Sequence, residues 1–160
     1  MSKAYCWSLG VVLFVLSVAS VAALDPCSAG MARAAGGEAR FYRDSSGAHR
    51  LRGRIGRTAV TFELAPAVDT LVLGEREAAR LGLRAQRGGV VRYRDSSGIR
   101  VAHSLVLDSV QVGDIVRERV RAVVVSGEDA GVVLLGQSFL RGLARCRDAG
   151  AVVLYQARRR

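Results

Sequence analysis

Thr58-Ala59-Val60-Thr61-Phe62-Glu63-Leu64-Ala65 alternates apolar and polar side chains, with Val60, Phe62 and Leu64 on one face and Thr61 and Glu63 on the other. Successive side chains of a strand point to opposite faces, so this period of two predicts a half-buried β-strand. The pattern recurs outward from it. Ile99, Val101, His103, Leu105 and Leu107 share a face, residues 115–125 form a long strand pattern, and Val132-Val133-Leu134-Leu135 is continuous enough to be buried on both faces. A last strand runs through Ala151-Val152-Val153-Leu154-Tyr155. Short runs of this kind, separated by Gly, Ser and Asp, predict an all-β fold. Only two short helices fit. Gly74-Glu75-Arg76-Glu77-Ala78-Ala79-Arg80-Leu81 carries acids in its first turn, which suits the helix dipole, and a second helix follows Gly136, from Gln137 to Leu143.

One hexapeptide occurs twice, Tyr42-Arg43-Asp44-Ser45-Ser46-Gly47 and Tyr93-Arg94-Asp95-Ser96-Ser97-Gly98. Each lies between two strand-like runs and reads as a hairpin tip, because Asp and Ser hydrogen-bond the local backbone and Gly takes positive φ. Two copies fall short of a solenoid.

The length of 160 residues, 50% of them hydrophobic, fits one packed domain and excludes a disordered or collagen-like chain. The net charge is +10, yet apart from Lys3 every basic residue is arginine, a uniformity that codon use in a GC-rich genome explains better than one binding face. The charge bounds solubility and non-specific adhesion and names no partner.

Residues 1–23 open with Lys3, continue through Val11-Val12-Leu13-Phe14-Val15-Leu16 and close on Ser17-Val18-Ala19-Ser20-Val21-Ala22-Ala23. A basic start, an apolar middle and a small-x-small exit are what an export signal requires. The alternative is a retained anchor over residues 7–24, just long enough to span a bilayer. Both readings export the rest of the chain, to the periplasm if the signal is cleaved and to the inner membrane if it is kept. Residues 24–39 are small and polar and read as a linker, 40–156 as the domain, and 157–160 as a basic tail.

Cleavage removes Cys6 and leaves Cys27 and Cys146, a pair able to form one disulfide in an oxidising compartment. Two unpaired small hydrophobes are the alternative. His49 and His103 stand alone and no CxxC exists, so neither a metal site nor a cofactor is expected.

Four segments, in order, resemble the exported, single-domain, retropepsin-like aspartic peptidases of bacteria. They are Gly53-Arg54-Ile55-Gly56 after a hairpin; residues 73–83, ending Leu81-Gly82-Leu83; residues 107–115, Leu107-Asp108-Ser109-Val110-Gln111-Val112-Gly113-Asp114-Ile115; and Leu134-Leu135-Gly136-Gln137-Ser138-Phe139-Leu140. The last is the most specific. Within it the resemblance makes Leu134, Leu135, Gly136, Ser138 and Phe139 a structural motif. It implies a single-lobe closed β-barrel with a flap hairpin at Asp95, Ser96, Ser97 and Gly98, and a homodimer that holds a peptide or protein ligand.

The departure from the family lies at its active site, Asp-Thr-Gly-Ala-Thr. There two carboxylates, one per subunit, share a proton because like charges so close cannot both ionise. Laid against the family without gaps from Ile55 to Leu83, this chain has Ala65-Pro66-Ala67-Val68-Asp69 at those positions. Carboxylate, bracing hydroxyl and close-approach glycine are replaced together. Asp69 is the substitute candidate, but Leu71 follows Thr70 where glycine belongs, and using Asp69 needs compensating shifts on both sides; a loop aspartate bonding its own backbone is the plainer reading. Ser138 lacks the Gly-x-Ser-x-Gly elbow because Leu140 stands at its end. His103, in an apolar stripe, reads as a core or cleft-edge residue.

Arg117, Arg119 and Arg121 share one strand face, and Arg158-Arg159-Arg160 end the chain. They read as a solvated face and a frayed terminus, or as an anion-binding stripe. The scattered aromatics and the export signal argue against nucleic acid. The expectation is therefore a peptidase homologue without its catalytic aspartate, working as a peptide-binding or scaffolding module. The alternatives are an active aspartic endopeptidase using Asp69 and a basic-surface binder.

Overall fold

The alternation at Thr58–Leu64 forms strand β3, with Val60 and Phe62 buried. In the computed structural model, which describes residues 35–83, 89–95, 98–127 and 131–157, β3 follows β1 (Ala35–Arg43) and β2 (His49–Ile55). Then come β4 (Leu71–Gly74), helix α1 (Glu75–Arg80), β5 (Val90–Asp95), β6 (Gly98–Val112) and β7 (Ile115–Val125). The chain continues through β8 (Val133–Leu135), helix α2 (Gln137–Leu140), β9 (Ala144–Asp148) and β10 (Ala151–Ala157).

The sheet closes on itself. Strand order β6-β7-β4-β8-β3-β2 is completed by antiparallel pairing of β2 with β6, Gly53 opposite Val112 and Ile55 opposite Val110. The pairs β3–β8 and β4–β7 are parallel and the other barrel pairs antiparallel, so the barrel is mixed. Closure leaves no open edge around the core. Phe41, Phe62, Phe139, Leu71, Leu73, Leu107, Ile115 and Leu135 fill it, each essentially without solvent exposure. Burial of each such side chain contributes about 1.5–3 kcal/mol. The β5–β6 hairpin extends from the barrel on one side, and β1, β10 and β9 form an antiparallel layer on the other.

Several expectations need revision. The stretch read as linker is strand from Ala35 onward. Gly37 serves close packing there, since a Cβ on it would lie 3.0 Å from the Asp114 carbonyl oxygen. The domain thus starts before residue 40 and β10 carries it to Ala157. Helix α2 ends at Leu140 and not Leu143, because Gly142 turns the chain at φ 75°. On β6 the expected apolar face is only partly covered: Leu107 is buried, but Ile99 and Val101 are 60% and 63% exposed, beyond the reach of the barrel.

A change of face was hidden in the long strand pattern. Core-facing positions switch parity along both strands of the β6–β7 hairpin, from Leu107 to Val110 and Val112, and from Ile115 to Val120 and Ala122. At the switch Arg119 has φ 52°, the left-handed region. Register is unchanged across it, Ser109 opposite Glu118 and Leu107 opposite Val120. Both strands change their core-facing side there, and the hairpin pairs with β2 near its turn and with β4 and β5 farther along.

The first hexapeptide turn is as expected. Asp44 Oδ1 accepts from Ser46 N (2.9 Å), Ser46 Oγ (2.6 Å) and Ala48 N (3.1 Å), while Gly47 has φ 85°. The second closes with Asp95 opposite Gly98; Ser96 and Ser97 lie outside the described residues, as do the signal or anchor and the basic tail. Cys146 is buried and disulfide-bonded, and Cys27, its expected partner, is also outside the described residues. No described helix is long and apolar enough to cross a membrane.

Candidate functional site

The loop from Ala65 to Thr70 leaves the end of β3 and is clamped by the segment that begins with β8. Leu64 lies beside Leu135 in the parallel pair, and Ala65 N donates to Leu135 O at 3.2 Å. Val68 N donates back to Ala65 O at 3.1 Å, closing a β-turn with Pro66 in its second position. Proline's fixed φ favours that position and its missing N–H leaves nothing unsatisfied there. The turn is thus one that Ala-Pro-Ala encodes by itself, with Pro66 and Ala67 exposed and Ala65 half-buried.

Helix α2 holds the other half of the loop. Gln137 N donates to Val68 O (2.7 Å), Gln137 Nε2 to Pro66 O (2.6 Å), and Ser138 N to Asp69 O (2.9 Å). Ser138 Oγ accepts from Leu71 N at 3.0 Å and donates to Arg121 O at 2.7 Å, so this hydroxyl ties three chain segments together. Gly136 permits the approach. A Cβ there would overlap the Thr70 carbonyl oxygen and lie 2.6 Å from that of Val68. Phe139 anchors the motif in the core. Leu135, Gly136 and Ser138 thus fix the loop's backbone, while Leu134 joins the neighbouring sheet and Phe139 the core.

Chemically the loop is bland. No side chain from Leu64 to Val68 titrates or donates, and general acid–base catalysis needs such a group within hydrogen-bond reach of the substrate. Asp69 is the first carboxylate, four residues past Ala65, with its side chain exposed and its backbone carbonyl directed to Ser138. Beside the loop lies an apolar wall. Val68, Val91 and Leu134, each half-buried, pack on Val72, Ala102, Val123 and Val125. This wall connects the loop to the β5–β6 hairpin, the expected flap. The hairpin's other face shows Val90, Ile99 and Val101 to solvent.

Other candidates fall in distinct places. His103 is half-buried on β6, and its Nδ1 is buried without a hydrogen-bond partner among the described residues. His49 begins β2, half-buried. Arg117, Arg119 and Arg121 do come together, and Arg141 joins them from beyond α2. Sequence reasoning missed Arg141 because it kept α2 running to Leu143. On β2, Arg50 holds Asp44 and its cross-strand neighbour Glu63, and the Glu63 carboxylate pushes the Arg50 guanidinium pKa up. Among the described residues no three His, Cys, Asp or Glu side chains are grouped to hold a metal ion.

Comparison with known proteins agrees with this geometry. The model of the aspartyl protease family matches residues 51–139, from β2 through β3, the loop and α2. A retropepsin-like aspartic protease from Rickettsia conorii has a similar fold. Its crystal structure superimposes with a TM-score of 0.63 at 22% identity, over 74% of this chain and 89% of that one. No curated protein matches. With its closed mixed barrel of retropepsin-like fold and a family match over more than half of its length, the chain belongs to the aspartyl protease family.

Proposed function

We infer that this chain is a non-catalytic member of its family, which binds extended peptide segments without cutting them. One observation carries the reading: the turn that leaves β3 between the clamp of α2 and the apolar wall is Ala65-Pro66-Ala67, with no carboxylate before the exposed Asp69. Water activation by paired carboxylates has no group to act through there. The means of holding a peptide remain. Val68, Val91 and Leu134 give half-buried apolar contacts, and β5 is a sheet-end strand whose hairpin flanks them. An extended segment adds main-chain hydrogen bonds at such an edge and alternate side chains in the apolar contacts.

The module works as a homodimer in the periplasm, or at the inner membrane if residues 7–24 are retained. Its exposed Pro66 and Ala67 meet their counterparts without burying charge. To test binding, protein produced from the full 160-residue sequence is titrated with labelled apolar peptides, and the peptides are weighed afterwards by mass spectrometry. Saturable binding of intact peptide, weakened about tenfold by Val68→Asp, is expected. Recovery of cut peptide, or binding indifferent to Val68→Asp, contradicts the reading.

A further inference from the structure

The antiparallel layer of β1, β10 and β9 has two faces. Val152 and Leu154 of β10 turn inward and join the barrel core with Ala39 and Phe41. Val153 and Tyr155 therefore turn outward, beside Cys146 of β9, and these three form a cluster of their own. A side chain on the outer face of a sheet stays wet unless something lies on it. Yet Val153 is 0% exposed, and Tyr155 and Cys146 are each 3% exposed. Neighbours within the layer account for part of this. Arg40, opposite Val153, reaches across β10 to Asp148, although these two side chains are themselves 34% and 35% exposed. Opposite Tyr155, Glu38 is drawn to Arg40 and Ala144 ends at a methyl group, so burial of the ring calls for a further cover.

The disulfide tells which segment supplies it. Cys146 is bonded, and Cys6 and Cys27 are the other cysteines of the chain. The Cys146 side chain lies on the outer face, so its partner reaches that face too. Cys27 comes eight residues before Ala35, where β1 begins, a stretch that spans about 27 Å when extended. Ala35 pairs with Ala157, while Cys146 lies level with Val153 and Arg40. The way from Ala35 to Cys146 thus runs two strands across and five residues along, roughly 19 Å. That course passes over Tyr155 and ends beside Val153. In Ser28-Ala29-Gly30-Met31-Ala32-Arg33-Ala34, small side chains let the chain lie flat, and Met31 is the one large apolar group, midway along. A thioether against an aromatic ring is a favourable contact.

We propose that residues 24–34 dock on this outer face, with Met31 over Tyr155, and that a Cys27–Cys146 disulfide locks them there. The lock closes by thiol–disulfide exchange. Two thiols give two electrons and two protons to a disulfide-containing oxidant, which leaves as a dithiol. The bridge closes a long loop and so restricts the unfolded chain, which makes an oxidising compartment the place where the layer is fully stable. The layer and the β5–β6 hairpin lie at opposite ends of the strand order, so the lock acts independently of peptide binding.

The test uses the full-length protein made in an oxidising compartment, digested without reduction and mapped by mass spectrometry. A peptide pair linking Cys27 to Cys146 is expected. A link to Cys6, a link between two chains, or two free thiols overturns the proposal. Tyrosine nitration then reads the cover, with Tyr42, 61% exposed, as the internal standard. Tyr155 should react at least about tenfold more slowly than Tyr42 in the parent, and within about threefold of it in Cys27→Ser/Met31→Asp. Protection of Tyr155 that survives in the double variant shows a different cover and rejects the docked segment. If that variant does not fold, Met31→Ala with the disulfide intact is read instead. Nitration of Tyr155 about threefold faster or more is then expected, and an unchanged rate overturns the proposal.

Discussion

At φ 52°, Arg119 is the one described non-glycine residue outside a turn with a left-handed backbone. That conformation costs a side-chain-bearing residue about 1–2 kcal/mol, and glycine escapes most of it. Arg119→Gly is therefore expected to raise stability by about 0.5–1 kcal/mol in chemical denaturation. A destabilised variant would show that the side chain packs more usefully than its backbone strains. Gly136 poses the opposite case. A Cβ overlapping the Thr70 carbonyl forces the loop off the clamp, so Gly136→Ala should lose about 3 kcal/mol, read from the urea midpoint.

Among the elements, two of the hairpins give separate expectations. The β9–β10 turn consists of Ala149 and Gly150, with φ 45° and 83°, and such a pair of positive φ values favours Asn at the first position. Ala149→Asn is expected to add about 0.5 kcal/mol, seen as a higher Tm. In the β1–β2 turn, the Ser46 hydroxyl bound to the Asp44 carboxylate holds its pKa below the ordinary 3.8. A carboxyl whose folded pKa is depressed stabilises the fold above the unfolded value, and that contribution disappears as pH falls through the folded one. Asp44→Asn should therefore lower Tm at pH 6, with a deficit that shrinks as pH falls below 3.8; a constant deficit would point to lost geometry and not lost charge.

The elements also mark how far sequence patterns reach. The alternation at Thr58–Leu64 was readable because one face of β3 meets the core along its whole length. On β6 and β7 the same kind of pattern concealed a change of face, since apolar residues continue through the parity switch and nothing in Arg119 announces positive φ. Ala35–Ala39 looked like linker because strands held by close backbone contact, with glycine against Asp114, need no bulky side chains. The loop at Ala65 was legible through the residues around it. The meeting of Arg141 with the β7 arginines was not, because it depends on where a four-residue helix stops.

For the whole molecule, the barrel, the clamp and the apolar wall surround a loop, Ala65-Pro66-Ala67, whose side chains carry no titratable group. Exposed Pro66 and Ala67 should let two copies meet without a buried charge pair, so sedimentation at rising concentration is expected to show a dimer, weakened by Ala67→Asp. A monomer at every concentration would place the module's work in a single chain. The central claim is the absence of catalysis, and its most direct measurement is hydrolysis of an unfolded protein between pH 3 and 7. Protein from the full sequence should release no peptides, and Asp69→Ala should leave that blank unchanged. The triple variant Ala65→Asp, Pro66→Thr, Ala67→Gly tests in parallel whether the scaffold still supports a carboxylate pair. Hydrolysis by the parent chain that disappears in Asp69→Ala would contradict the account.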